Sequence, residues 1–357
     1  MAASRRASFS LAKGTSNKSS SSMPRRLCHC IFFNSIFSLM NSFSSMRPAR
    51  IMAAMQSYFI EFESPDLLRV VGKDSEKLLQ GQLTCDLSAL PEIGACPGCL
   101  CDIKGRVIAS FTLYRLNDEY YLEMSSGLGQ TVESTLKKYA VFYDTEIESV
   151  SGRFQYLGLA GPDARQVLTS LVEQIPEENN AVIQQQGIVL RLVDHKQDRY
   201  SLWLENEKAE KAEALISRLK QSLTRGNTRD WTLADMTRGV YTFQPEDQGL
   251  FTPQELNYDL QGHISFTKGC YTGQEIVARM HYRGKAKKRL YQLQISSPSE
   301  PARQVKIINE SGKAIGEVIS VLNTDENSYA ALAVCSKDAD EIYSLEDIPD
   351  SRVIFRN

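Results

Sequence analysis

The chain has almost no charge surplus, few cysteines and no long apolar run, and each shortage removes a class of protein. Lys and Arg number 41 against 43 Asp and Glu, a formal net charge of -2 over 357 residues. Nothing in that balance attracts a phosphate backbone, and direct nucleic-acid binding is not expected. Eight cysteines are too few and too unevenly placed for a disulfide-stapled scaffold, and reduced thiols in a cytosol-like compartment fit better. The apolar stretch from Leu27 to Met40 is broken by His29, Asn34 and Ser35. It is too short to span a bilayer, so no membrane partner is expected.

Acidic residues are also missing from the start of the chain. None precedes Glu61, whereas Arg5, Arg6, Lys13, Lys18, Arg25, Arg26, Arg47 and Arg50 all do. Three readings of this leader stay open: a basic, Ser-rich mitochondrial transit peptide, a secretory signal or anchor opened by Arg25-Arg26, or upstream sequence ahead of a true start at Met46, Met52 or Met55. Residues 1–55 are expected to be disordered or absent from the mature protein. The location is accordingly cytoplasmic, or the mitochondrial matrix if the leader is a transit peptide.

What is present is 42% hydrophobic content, enough for two or three packed domains. Leu67 to Val71 reads as a strand and Asp74 to Gln80 as a helix closed by Gly81; Arg106 to Leu116 and Tyr120 to Met124 read as strands joined at Asn117-Asp118, with an amphipathic helix from Gln130 to Tyr139. The pattern repeats with a strand Phe154 to Ala160, a helix opened by Gly161-Pro162-Asp163 with apolar positions Ala164, Val167, Leu168, Leu171 and Val172, strands Ile188 to Val193 and Tyr200 to Leu204, and a helix Glu207 to Leu223. Beyond Leu290 only short apolar stretches between turn signals remain, the pattern of an antiparallel barrel. The fold class is α+β, with portions over 56–150 and 151–285 and a barrel over 286–357.

The stretch that carries chemistry is Lys268-Gly269-Cys270-Tyr271-Thr272-Gly273-Gln274-Glu275. Thr272 and Glu275 stand at capping-box spacing, so a helix should begin here. Gly269 and Gly273 allow close backbone approach. Cys270 then lies before a positive helix end and two residues from Lys268, both of which favour the thiolate. The bland alternative is a small buried thiol.

This octapeptide resembles the signature of the YgfZ family, relatives of the folate-binding T-protein of the glycine cleavage system. The resemblance extends through Phe251 to Asn257 and Tyr282-Arg283-Gly284, with Asp74 to Lys77, Gln80-Gly81-Gln82, Asp102 to Arg106 and Lys137 to Phe142, and covers about residues 60 to 355. It implies two ferredoxin-like portions in a ring around a central cavity, followed by the barrel. It further implies tetrahydrofolate as cofactor and a role supporting iron-sulfur client proteins, including enzymes that add sulfur-containing groups to transfer RNA. Cys270 and Lys268 are then the catalytic candidates. Trp231 matches a tryptophan associated with folate, its indole suited to stacking on a flat ring, unless it is ordinary core. Tyr271, Gln274 and Glu275 are grouped with the folate site, and Asp102, Lys104 and Arg106 would meet the glutamate tail or stay solvated. A second aromatic of the family falls at Pro65 here.

Two departures separate the chain from the T-protein. Its adjacent acidic pair aligns with Ala109-Ser110, and its pterin clamp finds no counterpart around Arg199 to Leu204. Without an acid or base near the folate nitrogen, aminomethyl transfer is not expected; a tetrahydrofolate-dependent one-carbon transferase is the alternative function, and a pure scaffold the third. Cys96-Pro97-Gly98-Cys99-Leu100-Cys101 reads as a turn with three thiols and no second half, so no metal is expected. Lys285, Lys287, Lys288 and Arg289 form a basic cluster that receives an acidic partner or RNA, or is a solvated face.

Overall fold

The computed structural model describes residues 56–284, 286–336 and 342–356. The leader and Lys285 of the basic cluster lie outside the described residues. β1 (Tyr58–Glu61) and β2 (Asp66–Val71) lead into α1 (Ser75–Gln82), and β3 (Ile93–Cys101), β4 (Val107–Leu116) and β5 (Glu119–Met124) precede α2 (Gly129–Ala140) and β6 (Glu146–Ser149). The second portion runs through β7 (Phe154–Ala160), α3 (Ala164–Thr169), β8 (Val182–Gln185), β9 (Ile188–Asp194) and β10 (Arg199–Glu205). It continues with α4 (Ala209–Ser222), β11 (Thr224–Arg225), α5 (Thr228–Met236) and, after a long irregular stretch, α6 (Gln274–Arg283). The last elements are β12 (Arg289–Ser296), β13 (Lys306–Asn309), β14 (Ala314–Asp325), β15 (Ser328–Cys335), β16 (Tyr343–Leu345) and β17 (Ile348–Phe355).

The strands form a five-stranded sheet in the order β3-β4-β5-β2-β6, a six-stranded sheet in the order β11-β1-β7-β10-β9-β8, and a closed barrel β12-β15-β14-β13-β16-β17. The α+β class and the closing barrel are those expected. Strand β4 shows how the pattern specifies the first sheet: Val107, Ala109, Phe111 and Leu113 are buried at period two, and Asn117 turns the β4–β5 hairpin with φ 60°, a left-handed angle that asparagine tolerates. The first strand, β1, pairs antiparallel with β7 and parallel with β11, so it belongs to the second sheet although the first follows it in sequence. Both Phe59 and Ile60 are buried, as a central strand covered on both faces requires.

Three local expectations are corrected. Helix α1 runs through Gly81 to Gln82 and is closed by the Leu83 amide on the Leu79 carbonyl, because Leu78, Leu79 and Gln82 bury one continuous face. The α3 helix stops at Thr169, short of Leu171 and Val172. Cys96 to Cys101 is no turn: it is the second half of β3, with Pro97 paired to Thr112 and Cys99 to Ser110. β3 is the edge of its sheet, a place where a proline can sit without costing a ladder bond.

One large core joins the first sheet, Val132 and Leu136 of α2, Tyr258, Val277 and the barrel residues Leu290, Ile319 and Leu332. A separate core lies under α4, with Leu159, Leu190, Leu202 and Leu219. Among the described residues no helix is long and apolar enough to cross a membrane.

Candidate functional site

The segment from Lys268 to Gly273 is a loop held at both shoulders by one stretch of chain, the end of α1 and the residues after it. On one side Lys268 Nζ donates to the Leu83 carbonyl at 2.8 Å and to the Cys85 carbonyl at 2.6 Å. On the other the Thr272 amide donates to the Gly81 carbonyl at 3.2 Å, and Thr272 Oγ1 to Gln82 Oε1 at 2.8 Å. Cys270, two residues from each anchor, projects between them and is exposed. Gln274 Nε2 closes the loop on the Gly269 carbonyl at 3.3 Å, and Tyr271 is buried with the Lys268 ammonium 5.4 Å from its ring centroid.

Gly273 explains its own place in the motif. Its φ is 83°, and a Cβ there would stand 2.4 Å from the Asp102 carbonyl oxygen, so no other residue lets the loop press on the Asp102–Arg106 turn. The expected capping box does not form. The helix starts at Gln274 with Gly273 at its N-cap and no side-chain cap, because the Thr272 hydroxyl is spent on Gln82. Glu275 is exposed on the first turn. Lys268 turns into the interior, where burial pulls its pKa down, and acts on Cys270 by holding the loop.

Trp231 sits elsewhere, in a cluster with Ile60 and Ala160. The Arg199 guanidinium lies 4.0 Å above its ring centroid, and Phe62 meets it edge-on at 5.2 Å. Arg199 is itself buried; it donates to Asp235 at 2.7 Å and to the Trp231 carbonyl at 3.2 Å. Its Nε has no partner. A buried, unpaired N–H beside an aromatic wall is a donor waiting for an acceptor, and a planar heterocycle with a carbonyl edge matches it, so these residues fit a folate. Arg199 and Phe62 are the residues that sequence reasoning missed. Pro65, where the family's second aromatic was sought, is not in the cluster around Trp231, while Trp231 and Asp235, four residues apart on α5, share the helix face that Arg199 meets.

The remaining candidates divide between structure and solvent. The Asp102 carboxylate accepts from the amides of Lys104 and Arg106 at 2.9 and 2.8 Å, which makes it the pin of its own turn. Arg106 donates to the Leu250 carbonyl at 2.6 Å and pairs with Glu255 at 3.3 Å, while Lys104 is exposed. Of the basic cluster, Arg289 is neutralised by Asp259 at 2.6 and 2.9 Å; Lys287 and Lys288 are exposed. A cavity of about 280 Å³ beside α6 is lined by Gln254, Asp259, Met280, His281 and Arg289 among others, none of them a folate candidate. Ala109 is fully buried and Ser110 is paired with Cys99, so β4 presents no acid at either position. Among the described residues no group of three or more His, Cys, Asp or Glu is placed to hold a metal ion.

Comparison with known proteins places this geometry in a family. Residues 56–194 match the GCVT N-terminal domain. A solved structure, the glycine cleavage system aminomethyltransferase T from Bartonella henselae, superposes with a TM-score of 0.64 over 84% of this chain and 85% of that one at 15% identity, which establishes the shared fold. The tRNA-modifying protein YgfZ of Pectobacterium atrosepticum is 32% identical over 299 residues, 79% of this chain and 88% of that protein. Its namesake in Pectobacterium carotovorum is 30% identical over 312 residues, 86% and 92% of the two chains. The chain therefore belongs to the YgfZ family.

Proposed function

We propose that this protein is a tetrahydrofolate-binding accessory factor that sustains iron-sulfur client proteins through Cys270, and by that route supports transfer-RNA modification. The observation that carries the reading is the mounting of Cys270. An exposed thiol between two anchors to one stretch of chain presents its sulfur to another protein without the entropic cost of ordering a floppy loop. Trp231, Phe62 and the free Arg199 Nε–H would hold the folate, the rings by contact with its plane and the guanidinium by donating to a carbonyl oxygen. Bound reduced folate supplies nitrogens able to carry a one-carbon unit. No carboxylate stands at Ala109 or Ser110 to move a proton there, which disfavours the one-carbon transferase alternative. The working compartment is the cytoplasm, or the mitochondrial matrix if the leader is a transit peptide.

Calorimetric titration of the full chain with tetrahydrofolate, run beside complementation of a strain lacking its own YgfZ-type protein, tests the reading. Binding by the wild type together with failure of Cys270→Ser to complement is expected. Absence of binding, or turnover of an aminomethyl donor, would overturn it.

A further inference from the structure

We infer that the cavity beside α6 is a binding site for a free nucleotide, with the flat base against the cavity wall and the phosphate among the basic side chains at its rim. Gln254 lines this cavity and is itself 1% exposed. Its Nε2 donates to the Val277 carbonyl at 2.8 Å, which fixes the amide one way round and leaves Oε1 as the acceptor. That oxygen is buried and has no partner. A buried amide oxygen is costly until a donor reaches it. The exocyclic amino group of a base such as adenine is a donor that glutamine and asparagine amides read.

The walls suit a flat ring. His281 lines the cavity, and its imidazole stacks on Phe266 with centroids 3.7 Å apart and planes at 15°. Tyr282 meets the same imidazole nearly at right angles, 4.8 Å away. Held by two rings, His281 is a wall already in place, so a ligand that packs on it freezes little side-chain freedom. Met280 lines the cavity as well, and its thioether packs well on aromatic rings. The volume, about 280 Å³, is at the small end of the range for ligand sites. It accommodates one ring system and is too small for a molecule of folate's length.

Charge selects an anionic ligand. The one acid in the lining, Asp259, has both oxygens bound by Arg289, at 2.6 and 2.9 Å, so it does not repel a phosphate. Gly284 and Ala286 also line the cavity. Arg283, Lys287 and Lys288 each stand next in sequence to a lining residue and are exposed. Unlike Arg289, none of the three is paired with a described acid. The net charge of -2 over the whole chain offers nothing to a long phosphate backbone, whereas a local group of three cations is enough for the phosphate of one nucleotide. The site needs neither folate nor Cys270, so it stands or falls separately from the function proposed above.

The test titrates the full-length protein calorimetrically with AMP, and separately with adenosine and ribose 5-phosphate, its two halves. Saturable binding of AMP at sub-millimolar concentration is expected, weakening as salt is added, with each half bound at least about tenfold less tightly. The double variant Lys287→Glu, Lys288→Glu changes exposed side chains and should fold as the wild type does. It should bind AMP about tenfold more weakly and adenosine unchanged. Gln254→Leu should weaken AMP by about tenfold and leave ribose 5-phosphate unaffected; if it does not fold, His281→Ala, at an exposed ring, should show the same pattern. Excess tetrahydrofolate should not displace AMP, and a single-stranded oligoadenylate should bind no more tightly than AMP does. Absence of saturable AMP binding, or wild-type AMP affinity in the lysine double variant, would show the proposal to be wrong. Displacement by tetrahydrofolate would move the nucleotide to the folate site, and much tighter binding of oligoadenylate would assign the cavity to RNA; either result overturns the inference.

Discussion

Cys270 and Trp231, both legible as candidates in the sequence, occupy opposite kinds of setting. Cys270 is exposed between two anchors, whereas Trp231 is 9% exposed with a guanidinium over one face and a phenyl ring at its edge. A thiol that must meet another macromolecule needs a rigid mount and open space. A surface that holds a small planar ligand needs enclosure and a directed donor. The difference implies that substitutions at the first should change function without stability, and at the second should change both.

The largest expected effect breaks the comparison outright if it fails. Cys270→Ser should abolish complementation while moving stability by no more than about 0.5 kcal/mol, the usual scale for exposed positions. Chemical denaturation paired with complementation reads both, and full function in the serine variant would falsify the role given to Cys270.

The second concerns the floor of the Cys270 loop, which the Trp231 side does not share. His263 stacks flat on Tyr258 at 4.1 Å, and its carbonyl accepts from Thr84 Oγ1 at 2.6 Å. Burial lowers its pKa from 6.5 to about 4. Between those values the unfolded chain binds the extra proton, so stability contributed by the neutral ring is complete above pH 6.5 and is lost as pH falls toward 4, by roughly 3 kcal/mol in all. Urea unfolding of wild type and His263→Phe at both ends of this window should show a smaller acid loss in the variant. Equal losses would remove His263 from the account.

At the other region, Trp231→Ala should weaken tetrahydrofolate binding by roughly 1 to 3 kcal/mol, the range for bases stacked on aromatic side chains. It should also destabilise the fold by about 3 kcal/mol or more through the cavity it leaves. Trp231→Phe keeps most of the packing and should fall between in calorimetry; unchanged affinity in both variants would separate Trp231 from the ligand.

The smallest effect is at Lys268, whose two carbonyl bonds oppose a desolvation cost. Lys268→Met should cost about 1 kcal/mol net and leave partial function. Because burial lowers its folded pKa below the 10.5 of the unfolded chain, its desolvation cost is relieved as pH rises through the window ending at 10.5, so the wild type gains stability there. The methionine variant should lack that gain. Matching pH profiles would mean that Lys268 is not titrating within the fold.

Local chemistry made much of this readable from the chain itself. Period-two burial in β4 and period-3.6 burial in α4 need no partner to be recognised, and the turns at Asn117 and Gly273 demand particular residues wherever they occur. The octapeptide marked Cys270 for the same reason, since its glycines, its lysine and its threonine are neighbours in sequence. Tertiary structure decided which partners those residues meet. Lys268 reaches carbonyls 185 and 183 positions away, and Thr272 takes Gln82 in preference to the local cap that its spacing promised. Arg199 finds Trp231 across 32 residues, and Gly98 in β3 clears a place for Cys85 that neither segment announces alone. Propensity and capping act within a few residues along the chain, whereas a buried ammonium or guanidinium must find acceptors wherever the fold leaves carbonyls and carboxylates unsatisfied.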